Sequence, residues 1–325
     1  MEFLQDYSLI LIRLVAICLM LAAGTIARKL DFLDDHSTKR LSFLVTYIIY
    51  PVAIFTSLVQ KYTLTTLLAQ WPIPLGAFLI IVVGFVVGKA VSRLTRGESD
   101  RLSRTFQLQC TLNNYVFLPL PLVLIYWPET GMGWMALSSL GSEIGVWTFG
   151  IAAIAGFKCD ASSLKKLASP TLFAILLALI IIALKQLFSA RYQLTPWSAN
   201  AIDSLLAVGT IFGNGTVPLA MIIAGSKIGT LTTSHLRHRL HAPLILIRLI
   251  LVPALVCAII RLIPMPTEIR QLITIVAVMP CSVASVAFSE LYDGDSDFAA
   301  ASILTTTIVS AFTIPIWLAL FGPAA

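Results

Sequence analysis

A chain of 325 residues is long enough for two ordinary soluble domains. Its composition excludes them: residues AVILMFWYC make up 58% and charged residues 12%, about half the ~25% charge of a soluble domain, and the mean hydropathy is +0.91. Such a chain cannot cover a water-facing surface, so its solvent is the lipid bilayer, and disorder, collagen-like repeats and a disulfide scaffold are excluded too. The net charge of +6 is not read as a nucleic-acid surface, because membrane proteins gather Lys and Arg on one side.

In chain order, Glu2 and Asp6 precede the first apolar run where a leader would carry positive charge, so this run is read as a retained span. A spanning helix needs about 20 apolar residues. The candidate spans are 8–27 with Arg13, 41–60, 62–88, 105–128, 131–157 with Glu143, 167–184, 204–226, 240–262 with Arg248, 271–289 and 298–325. The expected fold is therefore an all-α membrane protein of ten transmembrane helices. The loops after spans 1, 3, 5, 7 and 9 hold fifteen Lys and Arg residues against five in the opposite set. The positive-inside rule then makes the first set cytoplasmic and puts both termini on the non-cytoplasmic side. The loop after span 9 dissents, with Asp293, Asp295 and Asp297 and no base.

Ten spans divide into two sets of five, residues 1–157 and 158–325, and an odd number inverts the second set relative to the first. Landmarks match across the division: Pro51 in span 2 with Pro218 in span 7, and Pro119 and Pro121 in span 4 with Pro280 in span 9. Proline removes a backbone donor and clashes with the preceding turn. In hydrocarbon the freed backbone groups must be met by protein or by water in a cavity, so matching breaks in inverted halves point to a transport site. Pro51 and Pro218 serve equally well as simple kinks.

Span 4 reads Thr111-Leu112-Asn113-Asn114-Tyr115-Val116-Phe117-Leu118-Pro119-Leu120-Pro121, and span 9 reads Met279-Pro280-Cys281-Ser282-Val283-Ala284-Ser285. Each break starts a half-helix whose free N–H groups and positive dipole end point to mid-membrane. Inversion brings the two ends together. With Asn113, Asn114, Ser282 and Ser285 they form a donor-rich pocket suited to a carboxylate.

These residues carry a family likeness. Asn114 followed by Pro121, then Gly213-Asn214-Gly215-Thr216-Val217-Pro218 with Gly225, and Met279-Pro280 through Ser285 with Phe288, Tyr292, Gly294 and Asp295 resemble the auxin efflux carrier family. Thr313-Ile314-Pro315-Ile316-Trp317 extends the likeness. The resemblance covers nearly the whole chain and is strongest after residue 203. It implies crossed broken helices 4 and 9 in a mobile group of spans 3–5 and 8–10, moving elevator-like against a scaffold of spans 1, 2, 6 and 7. It also implies a small organic anion as cargo, bacterial relatives being linked to malonate, malate and similar acids. The short loop from Gly156 to Ser169 resembles compact prokaryotic members, and the bacterial inner membrane is the expected location. Pro119 stands where the family usually has glycine, Ala284 where some members have asparagine, and Glu143 where a neutral polar residue is expected.

Lone polar residues leave alternatives. Glu143 either answers a coupling proton and orders the pocket or makes a helix–helix hydrogen bond. Arg248 either attracts or balances an anion, pairs with Glu143, or snorkels; Arg13, near the outer face, snorkels. Asn214 lines the pocket from the scaffold side or caps the carbonyl freed by Pro218. Tyr115, Pro119, Pro121 and Pro280 complete the candidate substrate site. His235, His238 and His241 are read as a solvated basic face rather than a metal site. Cys18, Cys110, Cys257 and Cys281 are read as packed apolar residues, and Cys159 stands alone. Gly84-Phe85-Val86-Val87-Gly88 in span 3 permits close packing within the chain or in a homodimer.

No paired intramembrane aspartates, zinc motif or nucleophile–base set occurs, so enzyme chemistry is not expected. No phosphate-binding loop or resident cofactor is expected either. The driving force stays open between a coupling proton, sodium held by carbonyls at the breaks and the membrane potential acting on an anion, and a passive anion channel or a substrate sensor is the alternative to active transport.

Overall fold

A computed structural model of the chain describes residues 19, 20, 22–155, 170–189, 196–230 and 238–322. Arg13, Cys18, Cys159 and His235 lie outside the described residues. Helix is the dominant element, no strand occurs among the described residues, and the one isolated β-bridge joins Asn113 to Cys281. In chain order we label α1 Asp35–Lys61, α2 Leu64–Ala90, α3 Asp100–Thr111, α4 Pro119–Tyr126, α5 Gly131–Ala155 and α6 Pro170–Ser189. There follow α7 Pro196–Asn214, α8 Thr216–Ile228, α9 His241–Arg261, α10 Thr267–Ala277, α11 Ala284–Leu291 and α12 Ser296–Phe321.

Among the described residues, seven helical stretches are long and apolar enough to cross a membrane: α1, α2, α5, α6, α7 continued into α8, α9 and α12. Two further apolar segments are interrupted. The chain leaves helix between α3 and α4 at residues 112–118, and between α10 and α11 at residues 278–283. The breaks sit where Pro119, Pro121 and Pro280 forbid a continuous i→i−4 ladder. Pro119 also opens α4, where its missing N–H costs no bond.

Other prolines are absorbed differently. Before Pro51 and Pro253 the helix widens into single π-helical turns, Val45–Ile49 and Ile247–Leu251, which carry the chain past the lost donor without a break. Pro218 sits inside α8, and the interruption there is a single turn residue, Gly215.

The contacts fall into two packing groups, which also touch each other through α1 with α5 and through α6 with α2 and α5. α1 lies against α6, α7 and α8. α2 lies against α3, α5, α9 and α10, and α12 against α3, α9, α10 and α11. The close fit of α2 is made by small residues. A Cβ on Gly84 would sit 2.5 Å from the Cys110 carbonyl oxygen, one on Gly88 2.8 Å from Cys110 Cβ, and one on Gly141 1.9 Å from the Pro74 carbonyl oxygen. The GxxxG surface of α2 is thus filled by the chain's own α3. Cys110, Cys257 and Cys281 are buried free thiols. Outward faces of α6 and α12 present Phe173, Ile180, Leu187, Phe312, Ile316 and Leu320 to the surroundings, as lipid contact requires.

Ion pairs and polar contacts show which loops share a face. Arg239 Nε meets Glu98 at 2.7 Å, and Arg101 meets Asp293 at 3.1 Å. Arg104 donates to the carbonyl oxygens of Ile154, Tyr292 and Asp293. The loops after α2, α8 and α11 therefore lie on one side, and the dissenting acidic loop is held by arginines of α3. On the other side Lys61 meets Glu129 at 3.2 Å, and Gln271 donates to the Gly322 carbonyl oxygen at 3.0 Å.

Candidate functional site

The two interruptions close onto each other. Asn114 N–H donates to the Pro280 carbonyl oxygen at 2.8 Å, and Ser282 N–H donates to the Leu112 carbonyl oxygen at 3.2 Å. This short antiparallel pairing, centred on Asn113 and Cys281, satisfies backbone groups that the prolines and the breaks set free. Thr306 Oγ1 of α12 accepts from Cys281 N–H at 3.2 Å.

Beside the crossing lies a cavity of about 320 Å³, within the size range of small-molecule sites. One wall is Asn114 to Phe117, Ser282 to Ala284 and Glu143; the other is Ser42 and Tyr50 of α1, Thr171 of α6, and Ala220 and Ile223 of α8. It thus lies between the two packing groups, and most of its surface is apolar.

The polar side chains at the breaks are arranged alike. Asn114 Oδ1 accepts from the N–H groups of Phe117 and Leu118 at 3.2 and 3.4 Å. Its acceptor is spent on the turn leading into α4, which leaves the Nδ2 donor end of this cavity-lining residue. Ser282 Oγ accepts from Ala284 N–H at 3.3 Å at the start of α11, which leaves its hydroxyl proton. In both breaks the acceptor caps backbone and the donor is kept in reserve.

Glu143 is the hub of the wall. Its Oε1 accepts from Tyr115 hydroxyl and its Oε2 from Trp147 Nε1–H, each at 3.0 Å. Tyr50 hydroxyl and Ser139 Oγ, 2.8 Å apart, join α1 to α5. Among the described residues, neither Glu143 nor Arg248 takes part in an ion pair and no basic side chain lines the cavity.

The remaining sequence-derived candidates stand elsewhere. Asn113 is buried behind the crossing and donates Nδ2–H to the Val276 carbonyl oxygen at 2.8 Å. Ser285 accepts from Gln109 Nε2–H and donates to the Ser282 carbonyl oxygen. Pro119 and Pro121 are buried in the first turn of α4. Pro280 contributes its carbonyl oxygen to the crossing. Asn214 lines a second cavity of about 230 Å³ with Thr56, Gln60, Lys61 and Thr210. Arg248 is fully buried and donates to the carbonyl oxygens of Ala277, Cys110 and Met279.

Tyr50, Thr171 and Ile223 are cavity residues that sequence reasoning missed. They sit in spans without an intramembrane charge, and only the docking of α1, α6 and α8 on the crossing reveals them. His241 stacks on Phe298 with centroids 4.9 Å apart, and His238 Nε2 lies 3.8 Å from Glu98. No group of three metal-ligating side chains occurs among the described residues.

The chain matches the membrane transport protein family over residues 9–162 and 159–318. It is similar to an uncharacterized transporter of Methanocaldococcus jannaschii, with 23% identity over 310 residues, covering 93% of this chain and 95% of that protein.

Proposed function

We propose that this chain, which belongs to the auxin efflux carrier family of membrane transport proteins, is a secondary transporter of a small organic anion. It is a multi-pass membrane protein, and its family is one of transporters rather than enzymes. The single observation that carries the anion reading is the reserved donors: Asn114 Nδ2 and Ser282 Oγ flank one cavity with their acceptors already bonded. A carboxylate is acceptor-only and fits such a pair. The apolar remainder of the wall suits a short hydrocarbon body.

The cavity between the two packing groups supports alternating access by elevator-like movement. α2–α5 and α9–α12 travel as the mobile group. The first span, α1, α6 and α7–α8 stay as scaffold, within a ten-helix, inverted-repeat plan. Ser42 and Thr171 are near the ends of α1 and α6 that carry basic loops, so the cavity extends toward the cytoplasmic side. The setting is the inner membrane of a prokaryote, with both termini outside.

Charge favours proton coupling. Five of the carbonyl oxygens that a sodium ion could use at the breaks are engaged: Leu112 and Pro280 by each other's segment, Cys110, Ala277 and Met279 by Arg248. Glu143 is the carboxyl group among the described residues of the cavity wall. An anion entering beside an ionised Glu143, with no basic side chain among the described lining residues, is repelled; a proton on Glu143 removes that repulsion. Anion and proton therefore move together.

Uptake of labelled mono- and dicarboxylates into proteoliposomes, with and without sodium and across pH, tests this reading. Accumulation driven by a proton gradient without sodium is expected. Uptake that needs sodium would overturn the coupling, and uptake of no carboxylate would overturn the anion reading.

A further inference from the structure

Arg248 lies in the π-helical turn Ile247–Leu251 of α9 and has no exposed surface. Its Nη2 donates to the Ala277 carbonyl oxygen at 3.0 Å, Nη1 to that of Cys110 at 3.3 Å, and Nε to that of Met279 at 3.4 Å. Cys110 is in the last turn of α3, Ala277 ends α10, and Met279 lies two residues beyond. One guanidinium thus holds the carbonyl ends of both interrupted helices. The rigid fork of donors makes arginine suited to this, where a lysine ammonium would reach the same oxygens as a single point.

A buried charge persists only when something compensates it. Among the described residues no carboxylate faces Arg248, so the compensation is the carbonyl dipoles themselves. A helix C-terminus carries roughly half a negative charge, and two of them offset about one guanidinium. Past the breaks, α4 and α11 begin with the opposite polarity, their positive dipole ends capped by the side-chain oxygens of Asn114 and Ser282. At an uncompensated crossing, the two negative and two positive poles would cancel. With the negative pair neutralised by Arg248, the amide ends are left as the net polarity beside the cavity.

We propose that Arg248 is the residue that gives the crossing its preference for an anion. It is a positioning residue: it does not line the cavity, and it acts through the two half-helix ends that it holds together. This inference rests on the carboxylate reading of the same cavity, and its test separates the two.

The experiment compares the purified full chain with Arg248→Met and Arg248→Lys. Hydrogen exchange is followed over residues 110–118 and 276–285, and binding is measured for those carboxylates that stabilise the unmodified protein and for their primary amides. In Arg248→Met, both segments lose protection together by tenfold or more; loss in neither, or in one alone, overturns the joint hold. Carboxylate affinity falls at least tenfold while amide affinity stays within twofold. An equal fall for acid and amide shows a merely structural role and overturns the charge assignment. Should Arg248→Met fail to accumulate, Arg248→Lys decides: it keeps the charge with a poorer fit, so exchange protection drops while the acid-over-amide preference persists. Loss of that preference in Arg248→Lys contradicts the proposal. If no carboxylate binds the unmodified protein, the cavity reading and the selective role fall together, while exchange still decides the joint hold.

Discussion

Asn114 donates its backbone N–H to the carbonyl oxygen of Pro280 at 2.8 Å, although 166 residues separate them in the chain. The bond puts the side chain of Asn114 on the cavity wall opposite Tyr50, and the oxygen of that side chain is occupied by the turn into α4. What Asn114 can offer a ligand is therefore a donor, and the account of the site follows from that polarity.

Replacing Asn114 separates its two tasks. Asn114→Ala removes both the cap on Phe117 and Leu118 and the donor; Asn114→Asp keeps an acceptor for the cap and loses the donor. A hydrogen bond to a charged group contributes about 1.5–3 kcal/mol, so both variants should bind carboxylates roughly 10- to 100-fold more weakly. Thermal melting should fall in the alanine variant and stay near the original in the aspartate variant. Ligand titration and melting curves on the two proteins check this.

Glu143→Gln should flatten the pH dependence of uptake. In the unmodified chain, uptake should fall as pH rises and Glu143 loses its proton, because the carboxylate would then face the incoming anion with no basic side chain among the described lining residues. Glutamine carries no charge at any pH, so uptake by the variant should hold level across the same range. One of the donors from Tyr115 and Trp147 loses its acceptor, and leaving a buried donor unpaired costs about 1–3 kcal/mol. Initial rates in proteoliposomes at a series of external pH values provide the measurement.

The proposed elevator-like movement would have to break the contact between Lys61 at the end of α1 and Glu129 before α5, which are 3.2 Å apart. The pair is solvent-exposed, so its loss costs about 0–1 kcal/mol and poses no barrier. A covalent link does. Lys61→Cys combined with Glu129→Cys, joined by a short bifunctional thiol reagent, should arrest transport, while either single variant treated alike should transport normally. Full transport by the linked protein would contradict an elevator-like cycle.

The join between α2 and α5 leaves no room for a side chain at Gly141, where an added Cβ would sit 1.9 Å from the backbone carbonyl oxygen of Pro74. Backbone cannot rotate aside as a side chain does. Gly141→Ala should destabilise the fold by about 1–3 kcal/mol, read as a lowered melting temperature in detergent.

How far these features are legible from sequence differs with their physical origin. The breaks in the fourth and ninth segments are local: Pro119, Pro121 and Pro280 within apolar runs announce them, and the chain leaves helix beside each. The mutual pairing of the breaks is half legible, since an inverted repeat predicts that the ends meet but not that Asn114 bonds Pro280. Polar residues near a break all look alike in sequence, yet their surroundings divide them: Asn114 and Ser282 line the cavity, Asn113 and Ser285 turn to buried partners behind it, and Asn214 lines a separate cavity. Arg248 is the clearest illegible case. Its partners are three backbone carbonyls contributed by segments far away in the chain, and carbonyls leave no mark in a sequence. Glu143 stands out as an intramembrane charge and its bond to Trp147 is an i,i+4 contact within α5, but its bond to Tyr115 depends on how α5 docks against the first break.

The claim that the crossing receives a carboxylate is tested most directly by a thermal-shift titration of the purified protein with a panel of mono- and dicarboxylates, each paired with its primary amide, on the unmodified chain and on Asn114→Asp. The account predicts at least one acid that raises the melting temperature of the unmodified protein, with a clearly smaller effect from its amide and little from either on Asn114→Asp. Equal stabilisation by acid and amide, or undiminished stabilisation of Asn114→Asp by the acid, would contradict it.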